Sequence, residues 1–314
     1  MILKRHLALI LYIFIPLVCF CQSIDRNNIA KADHIISSQP ISVINKDICH
    51  SGNPHNYESL SIYWWPDPQN PQGPYIALDG QVNPDHNLYD YPRLRELVEN
   101  LHIVAKAYQD TKEQKYNDFF MSQIDTWFIQ KATRMAPNMD YSQFVPGRNN
   151  GKGNPQGLID AYNFTRVIDE IEKVNNISPL EKNRAKALKK WFSTFAHWME
   201  TSPNGKTASQ FQNNQAIAYE TTLYRIHTFT GNLTKAQQHA IICIRHIKEQ
   251  IDHEGKQPQE LRRANPINYV NFNLSIIDYF LKNCPQELID DEVITKVTMA
   301  KQHAKELSGK GTLR

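Results

Sequence analysis

A short segment near the C-terminal end of the chain, ELRRANPINY, brings together residue types that can move a proton. Asn265 and Pro266 are typical of the N-cap and first residue of a helix, so Tyr269 should lie in the first turn of that helix. The helix dipole, with Arg262 or Arg263, would then favour the phenolate of Tyr269, whose pKa is otherwise about 10. Such a tyrosine can act as a general acid or base. The alternative is a surface arginine pair with a tyrosine packed on the helix behind it.

A second segment, FQNNQAIAYE, places three amides side by side at Asn213, Asn214 and Gln215. An amide can donate a hydrogen bond to a carboxylate, but it cannot exchange a proton near neutral pH. Gln215 and Tyr219 are one helical turn apart, so we expect both to line the same cleft. The alternative is an amide-rich first turn that caps its own backbone.

Two long segments without helical periodicity must form loops. Residues 50–87 and 134–160 are rich in Pro, Gly and Asn, and the first has a density of Tyr and Trp that disordered segments lack. Ordered loops on a rigid scaffold often carry function. The candidates for substrate contacts in these loops are His55, Tyr57, Tyr63, Arg134, Asn138, Gln143 and Asn149. The alternative for them is loop anchoring, packing or a turn, and anchoring is favoured for Trp64 and Trp65.

Elsewhere the spacing of apolar residues indicates helices. The clearest stripe is Leu188, Trp191, Phe192, Phe195 and Met199. Helices are predicted over residues 91–108, 116–133, 158–174, 181–200, 212–230, 234–252, 266–282 and 287–307. Strands are nearly absent, and no internal repeat suggests a solenoid. The pattern favours an all-α fold of antiparallel helical hairpins, with a cleft formed by two long ordered loops.

The N-terminus has the pattern of a secretory signal peptide. Lys4 and Arg5 precede an apolar run over residues 7–20, which is shorter than the roughly 20 residues of a membrane span. We predict cleavage after Cys21, which leaves a periplasmic or secreted protein with one domain over residues 22–314. Lipid attachment to a cysteine of this region is the less favoured alternative.

Composition argues against several classes of function. The formal charge of +3 over 314 residues gives no argument for nucleic-acid binding, although a slight basic excess suits an anionic substrate. After Cys21, the cysteines Cys49, Cys243 and Cys284 allow at most one disulfide and lack zinc spacing. The histidines are scattered along the sequence. We therefore expect no metal and no cofactor, and we expect a monomer.

Four blocks of sequence together resemble the alginate lyase domain family. They are HNYESLSIYWWPDPQNPQGPYIALDGQVNPD, TRMAPNMDYSQFVPG, SPNGKTASQFQNNQAIAYE and QPQELRRANPINYVNFNL, and they occur in the family's order over roughly residues 50–280. The resemblance implies an incomplete α/α toroid and a polysaccharide lyase that acts on an anionic uronate polymer such as alginate. After NYVNFNL the chain stops resembling the family, so we expect a C-terminal helix of the toroid either to be missing, which would shorten the domain, or to be replaced.

The resemblance also implies roles in a β-elimination, in which the C5 proton of a uronate is removed and the 4-O-linked sugar leaves. Tyr269 matches the family's acid/base tyrosine, and Arg263 fits its EL-x-R position, with Arg262 adjacent. Asn213 and Asn214 match two asparagines of the family, the second of which neutralises the uronate carboxylate.

Two departures from the family pattern bear on activity. Gln215 replaces a histidine that would be a carboxylate neutraliser and a possible base, and Asn56 replaces an aspartate that would orient His55. The alternative to a working lyase is therefore a weakened or inactive relative that binds uronate oligomers without cleaving them. A glycoside hydrolase is less favoured, because the aspartates of the first loop lie beside Pro or Gly and suit turns.

Overall fold

The computed structural model describes residues 25–311, which are mostly α-helical. The helices are α1 (Arg26–Ile36), α2 (Asp90–Thr111), α3 (Gln114–Ile124), α4 (Asn163–Ile177), α5 (Lys182–Thr201), α6 (Pro203–Ala208), α7 (Asn214–Thr230), α8 (Leu233–Gln250), α9 (Pro258–Leu261), α10 (Pro266–Asn283) and α11 (Asp291–Gly311). Four short strands lie in the two loops: β1 (Glu58–Leu60), β2 (Trp64–Trp65), β3 (Ile76–Ala77) and β4 (Tyr141–Phe144). The predicted signal peptide and its cleavage site lie outside the described residues. Within them, no helix is long and apolar enough to cross a membrane.

The eight predicted helices are all present, and the all-α class is confirmed. The predicted and observed first residues of a helix differ most at α4, because the segment Pro155–Tyr162 forms 3-10 turns before the α-helix begins. The predicted helix over 116–133 ends early: α3 passes into a π-helical turn at Asp125–Ile129. Helices α1, α6 and α9 were not predicted from the sequence, and two of them are too short to show a periodic pattern.

Helix α7 lies at the centre of the fold and packs against α4, α5, α8 and α10. Nearly every residue from Asn214 to His227 is buried, so this helix has no solvent-facing side. One apolar cluster lies between α7 and the helices α2 to α5, and a second lies between α7 and the helices α8, α10 and α11. The position of α7 therefore determines how the two halves of the molecule meet.

Aromatic rings fill much of the first apolar cluster. Phe128, Phe164 and Phe192 are almost fully buried there. Trp191 and Phe195 stack with their ring centres 5.3 Å apart, and Phe164 meets Phe195 edge-on at 5.2 Å. Edge-to-face and offset contacts of this kind add to the free energy gained by burying the rings. The apolar stripe predicted on α5 is therefore a core stripe.

The two loops are ordered by contacts with each other and with α2. Strand β1 pairs in parallel with β4, and β2 pairs antiparallel with β3. The buried carboxylate of Glu58 accepts hydrogen bonds from the backbone N–H groups of His50 and Ser51. Asp90 accepts the Glu58 N–H at 2.9 Å and forms an ion pair with Lys46 at 2.5 Å. The described cysteines are free thiols, so hydrogen bonds and ion pairs hold these loops without a cross-link.

Removing one ring from the aromatic cluster should destabilise the fold. Phe192 is fully buried, and Phe192→Ala should lower the free energy of unfolding by about 3–5 kcal/mol, because it removes apolar contacts and leaves a cavity. Urea denaturation followed by circular dichroism measures the change. Ile241→Ala is the control, since Ile241 is 53% exposed and its loss should change stability by about 0.5 kcal/mol or less. Equal losses in the two variants would contradict this assignment of the core.

Candidate active site

The two loops and the N-terminal ends of α7 and α10 enclose a cleft of about 1160 Å³. Helix N-termini carry partial positive charge, so their presence favours an anionic ligand. Residues that the sequence analysis selected line this cleft from both loops and both helices. They are Tyr63, Gln143, Asn149, Asn213, Asn214, Gln215, Arg263 and Tyr269.

Tyr269, Arg263 and Asp79 form a connected group in the cleft. The Arg263 guanidinium donates to the Tyr269 hydroxyl at 2.7 Å and lies 3.7 Å from the centre of the Tyr269 ring. It also donates to both carboxylate oxygens of Asp79, at 2.6 and 3.1 Å, and the Ala264 N–H donates to the same carboxylate at 3.0 Å. Asp79 thus holds Arg263 from the first loop. Arg262 is exposed and is not among the residues that line the cleft, so Arg263 is the arginine of this pair that the structure places there.

The surroundings of Tyr269 correct the expectation of a favoured phenolate. Burial raises the pKa of Tyr269, a hydrogen bond with Tyr63 raises it further, and Arg263 opposes both effects without outweighing them. The predicted helix start is present with Pro266 in the first position, but Asn265 makes no side-chain capping bond. The phenol is therefore protonated in the cleft, because the loss of water around a phenolate costs more than the single arginine contributes.

Asn214 is held by a carboxylate to which the sequence analysis gave no such role. Its backbone N–H and its side-chain amide donate to the two oxygens of Glu260 at 2.8 and 2.7 Å. Glu260 is 1% exposed. Burial raises the pKa of Glu260, while the bonds from Asn214 and the charge of Arg263 lower it. Because the Asn214 amide has two N–H groups, the second can donate to a ligand while Glu260 fixes the orientation.

The other two amides of this segment differ from Asn214 in their environment. The side-chain oxygen of Asn213 accepts a hydrogen bond from the Gln215 N–H at 3.1 Å, so Asn213 is the N-cap of α7. The self-capping interpretation therefore holds for Asn213, although its side chain also lines the cleft. Gln215 is half-buried and also lines the cleft.

Two predicted substrate contacts are buried in the protein interior instead, and both predictions are wrong. Tyr219 is 3% exposed, and its hydroxyl donates to the Met199 carbonyl at 2.9 Å. Tyr219 lies one turn after Gln215 on α7, and this position faces the core because α7 is covered on every side. Tyr57 is fully buried, and its hydroxyl donates to Asp160 at 3.0 Å below the cleft.

Three further loop residues that were predicted as substrate contacts are not among the residues that line the cleft. The Nδ1 atom of His55 lies 2.8 Å from the carbonyl oxygen of Arg134, so this contact joins the two loops. The Arg134 side chain is exposed. The side chain of Asn138 accepts a hydrogen bond from the Asp140 N–H at 3.2 Å, which is a local turn contact.

Gln143 and Asp160 form part of the cleft wall. Gln143 has a left-handed backbone with φ 46°, and its side-chain amide donates to Asp160 at 3.0 Å. The hydroxyl of Ser59 also donates to Asp160, at 2.6 Å. Asp160 is 2% exposed, and burial raises its pKa to about 6 in spite of these donors.

Basic residues of the second loop also line the cleft, although the sequence analysis did not select them. Arg148 and Lys152 belong to the segment GRNNGKGN, whose alternation of basic residues with turn formers could have identified them. The Arg148 guanidinium lies 4.8 Å from the ring centre of Trp64. Among the described lining residues, the only acidic ones are Asp79, which is paired with Arg263, and the buried Asp160. The cleft therefore suits an anionic ligand.

Known proteins resemble this chain in sequence and in fold. A family model described as alginate lyase matches residues 45–277. The chain belongs to the alginate lyase family. The crystal structure of an alginate lyase from Bacteroides ovatus has 33% sequence identity and a TM-score of 0.78, over 82% of this chain and 68% of that one. Alginate lyase A1-III from Sphingomonas species A1, with 12% identity and a TM-score of 0.52 over 87% of this chain and 70% of that one, resembles it in fold alone. A search of curated proteins finds no significant match.

These likenesses confirm the all-α toroid fold that the sequence predicted. The range matched by the alginate lyase family includes both loops and extends through Tyr269 in α10. The cleft described above therefore lies within the part of the chain that defines membership of the family.

The raised pKa of Asp160 should make stability depend on pH. Its pKa is about 6 in the fold against an ordinary 3.8, so its contribution to stability is complete below pH about 4 and is lost as the pH rises through about 6. The loss should be on the order of 3 kcal/mol. Urea denaturation of the wild type and of Asp160→Asn at pH 4 and pH 7 measures it, because the asparagine does not titrate. If the free energy of unfolding changes equally in both proteins between these pH values, Asp160 does not have the raised pKa.

Proposed function

We propose that this member of the alginate lyase family is a polysaccharide lyase that cleaves a uronate polymer such as alginate by β-elimination. The observation that carries the proposal is the contact in the cleft between the Tyr269 hydroxyl and Arg263, at 2.7 Å. Asn214, fixed by Glu260, lines the same cleft. An acid/base tyrosine beside donors for a carboxylate is the combination that this elimination requires.

The lining of the cleft supports a sugar polymer as the substrate. Amides can donate to and accept from sugar hydroxyls, and ten amide side chains occur among the described lining residues. They are Gln143, Asn149, Asn154, Gln156, Asn204, Asn213, Asn214, Gln215, Asn265 and Asn268. Phe272, which is 40% exposed, offers an apolar surface against which a sugar ring can pack. Arg148 and Lys152 add the positive charge that favours a polyanion.

The elimination depends on stabilising negative charge. The C5 proton of a uronate is weakly acidic because the neighbouring carboxylate is already negative, and donors to that carboxylate make the enolate accessible. Arg263, the second N–H of Asn214 and the Gln215 amide are such donors. Tyr269 first loses its phenolic proton to solvent, and the phenolate then accepts the C5 proton. As a phenol, it then returns a proton to the 4-oxygen as the C4–O bond breaks, and a C4–C5 double bond remains.

The new double bond absorbs in the ultraviolet and provides the test of the proposed function. Incubation with alginate, polymannuronate, polyguluronate and glucuronan should give this absorbance on at least one polymer. Tyr269→Phe should abolish it, because phenylalanine cannot exchange a proton. Gln215→Ala should retain part of the activity, since glutamine can donate to the carboxylate but cannot exchange the proton. Activity that survives in Tyr269→Phe would overturn the assignment of the acid/base.

The rival is a relative that binds uronate oligomers without cleaving them. What favours it is Gln215, which lines the cleft and stands where the resemblance to the family implies a histidine. Oligomer binding without product on any of the four polymers would establish the rival and exclude the lyase. In that case, product formation by Gln215→His would show that activity was lost at this one position, because a histidine can carry the proton that glutamine cannot.

The raised pKa of Tyr269 should appear in the pH dependence of the reaction. Because the phenol is protonated at rest, kcat/KM should rise with pH through the neutral range and continue to rise above pH about 9.

Arg263→Lys loses the planar guanidinium that bonds to Asp79 and Tyr269 together, so it should lower kcat/KM by roughly 10–100-fold. Arg262→Lys, at the exposed neighbouring position, is the matched control and should behave like the wild type. Equal effects of the two substitutions would refute the role of Arg263.

A further inference from the structure

A cluster of histidine and glutamate side chains lies at the other end of α7 from the cleft. It contains Glu200 near the end of α5, His227 near the end of α7, and His239 of α8. His227 is thirteen residues after Asn214 in the sequence, which corresponds to about 20 Å along a helix. The proposed elimination therefore makes no use of this cluster.

The contacts of the cluster converge on one carboxylate oxygen. Glu200 Oε1 lies 3.0 Å from Nε2 of His227 and 3.2 Å from Nε2 of His239. The two imidazole rings are nearly parallel, with an interplanar angle of 7° and centres 5.4 Å apart. Three atoms bound tetrahedrally to zinc at about 2.0 Å lie about 3.3 Å from one another. The two distances from Glu200 Oε1 to the histidine nitrogens are thus close to the distances between ligand atoms in such a site.

A second, independent contact resembles the hydrogen bond that supports a metal-binding histidine in other proteins. Nδ1 of His239 lies 2.7 Å from Oε2 of Glu220, whose side chain is 2% exposed. A histidine that binds a metal through one nitrogen usually donates its other N–H to a carboxylate, which fixes the ring and makes it a better ligand. Glu220 stands in that position, with Nε2 of His239 directed at Glu200.

We propose that Glu200, His227 and His239 bind one divalent metal ion of the zinc class, with Glu220 as the carboxylate that positions His239. Two imidazoles and one carboxylate are a donor set that zinc accepts, with a fourth position left for water. Lys235 contacts only the other oxygen of Glu200, Oε2, at 2.5 Å, so Oε1 remains available to the metal. The ion joins α5, α7 and α8, and its role is to stabilise the helices around the core. This proposal departs from the expectation of no metal, which rested on the scatter of the histidines along the sequence.

The rival explanation is that a proton, and not a metal ion, accounts for the same contacts. His239, protonated on both nitrogens, would bridge Glu200 and Glu220, and no metal would bind. Calorimetric titration with Zn²⁺ separates the two explanations, using the full chain purified without a histidine tag and stripped with a chelator. One equivalent of Zn²⁺ should bind saturably and should raise Tm by roughly 5 °C at a hundredfold excess over Kd. The absence of a one-to-one site would overturn the proposal.

Substitutions assign the site to these residues. His227→Gln and His239→Gln should each weaken Zn²⁺ binding at least tenfold, and Glu220→Gln should weaken it by roughly 10–100-fold through loss of the positioning carboxylate. His102→Gln is the matched control: His102 lies 2.9 Å from Glu170, but its side chain is 57% exposed and no second histidine among residues 25–311 joins that pair. Binding that is unchanged in the three cluster variants would overturn the proposal. If those variants do not fold, the visible spectrum of the Co²⁺-loaded wild type decides, because the proposal requires the bands of a tetrahedral site with nitrogen ligands.

Discussion

The structure depends on how the buried central helix α7 pairs its polar side chains. A polar group removed from water costs free energy unless it finds a partner, and α7 carries several such groups through the middle of the core. Arg225 meets Tyr279, Asp169 and Glu172. These contacts reach α10 through Tyr279 and α4 through Asp169 and Glu172, so pairing the polar groups of α7 also fixes the arrangement of its surroundings.

The same requirement connects the core to the cleft. At the N-terminal end of α7, Asn214 is held by Glu260, which stands three residues before Arg263. Arg263 in turn contacts Tyr269 of α10 and Asp79 of the first loop. A carboxylate, an amide, a guanidinium and a phenol are thereby fixed relative to one another by α7, α10 and the loop. Preorganised donors of this kind stabilise developing charge without rearrangement during the reaction.

The sequence predicted much of this arrangement because the decisive signals are local. The apolar stripe of α5, the Asn–Pro start of α10 and the aromatic density of the first loop each depend on residues close together in the chain. The residues that were misplaced share one cause, which is contact with segments that are distant in the sequence. Tyr219 was placed in the cleft because it is one turn from Gln215, but a helix buried on all sides turns that face into the core. His55 looked like a sugar contact, yet the second loop occupies its Nδ1 atom.

The sequence by itself determined eight of the helices, the two ordered loops and the resemblance to alginate lyases, since periodicity, capping and motif order are properties of the chain. Only the tertiary structure decided which of two adjacent arginines enters the cleft, and which carboxylates hold Asn214 and Arg263. It also decided that His227 and His239, on successive helices, meet at Glu200. The physical reason is that periodicity assigns residues to a face of a helix, but the packing of distant segments decides what that face meets.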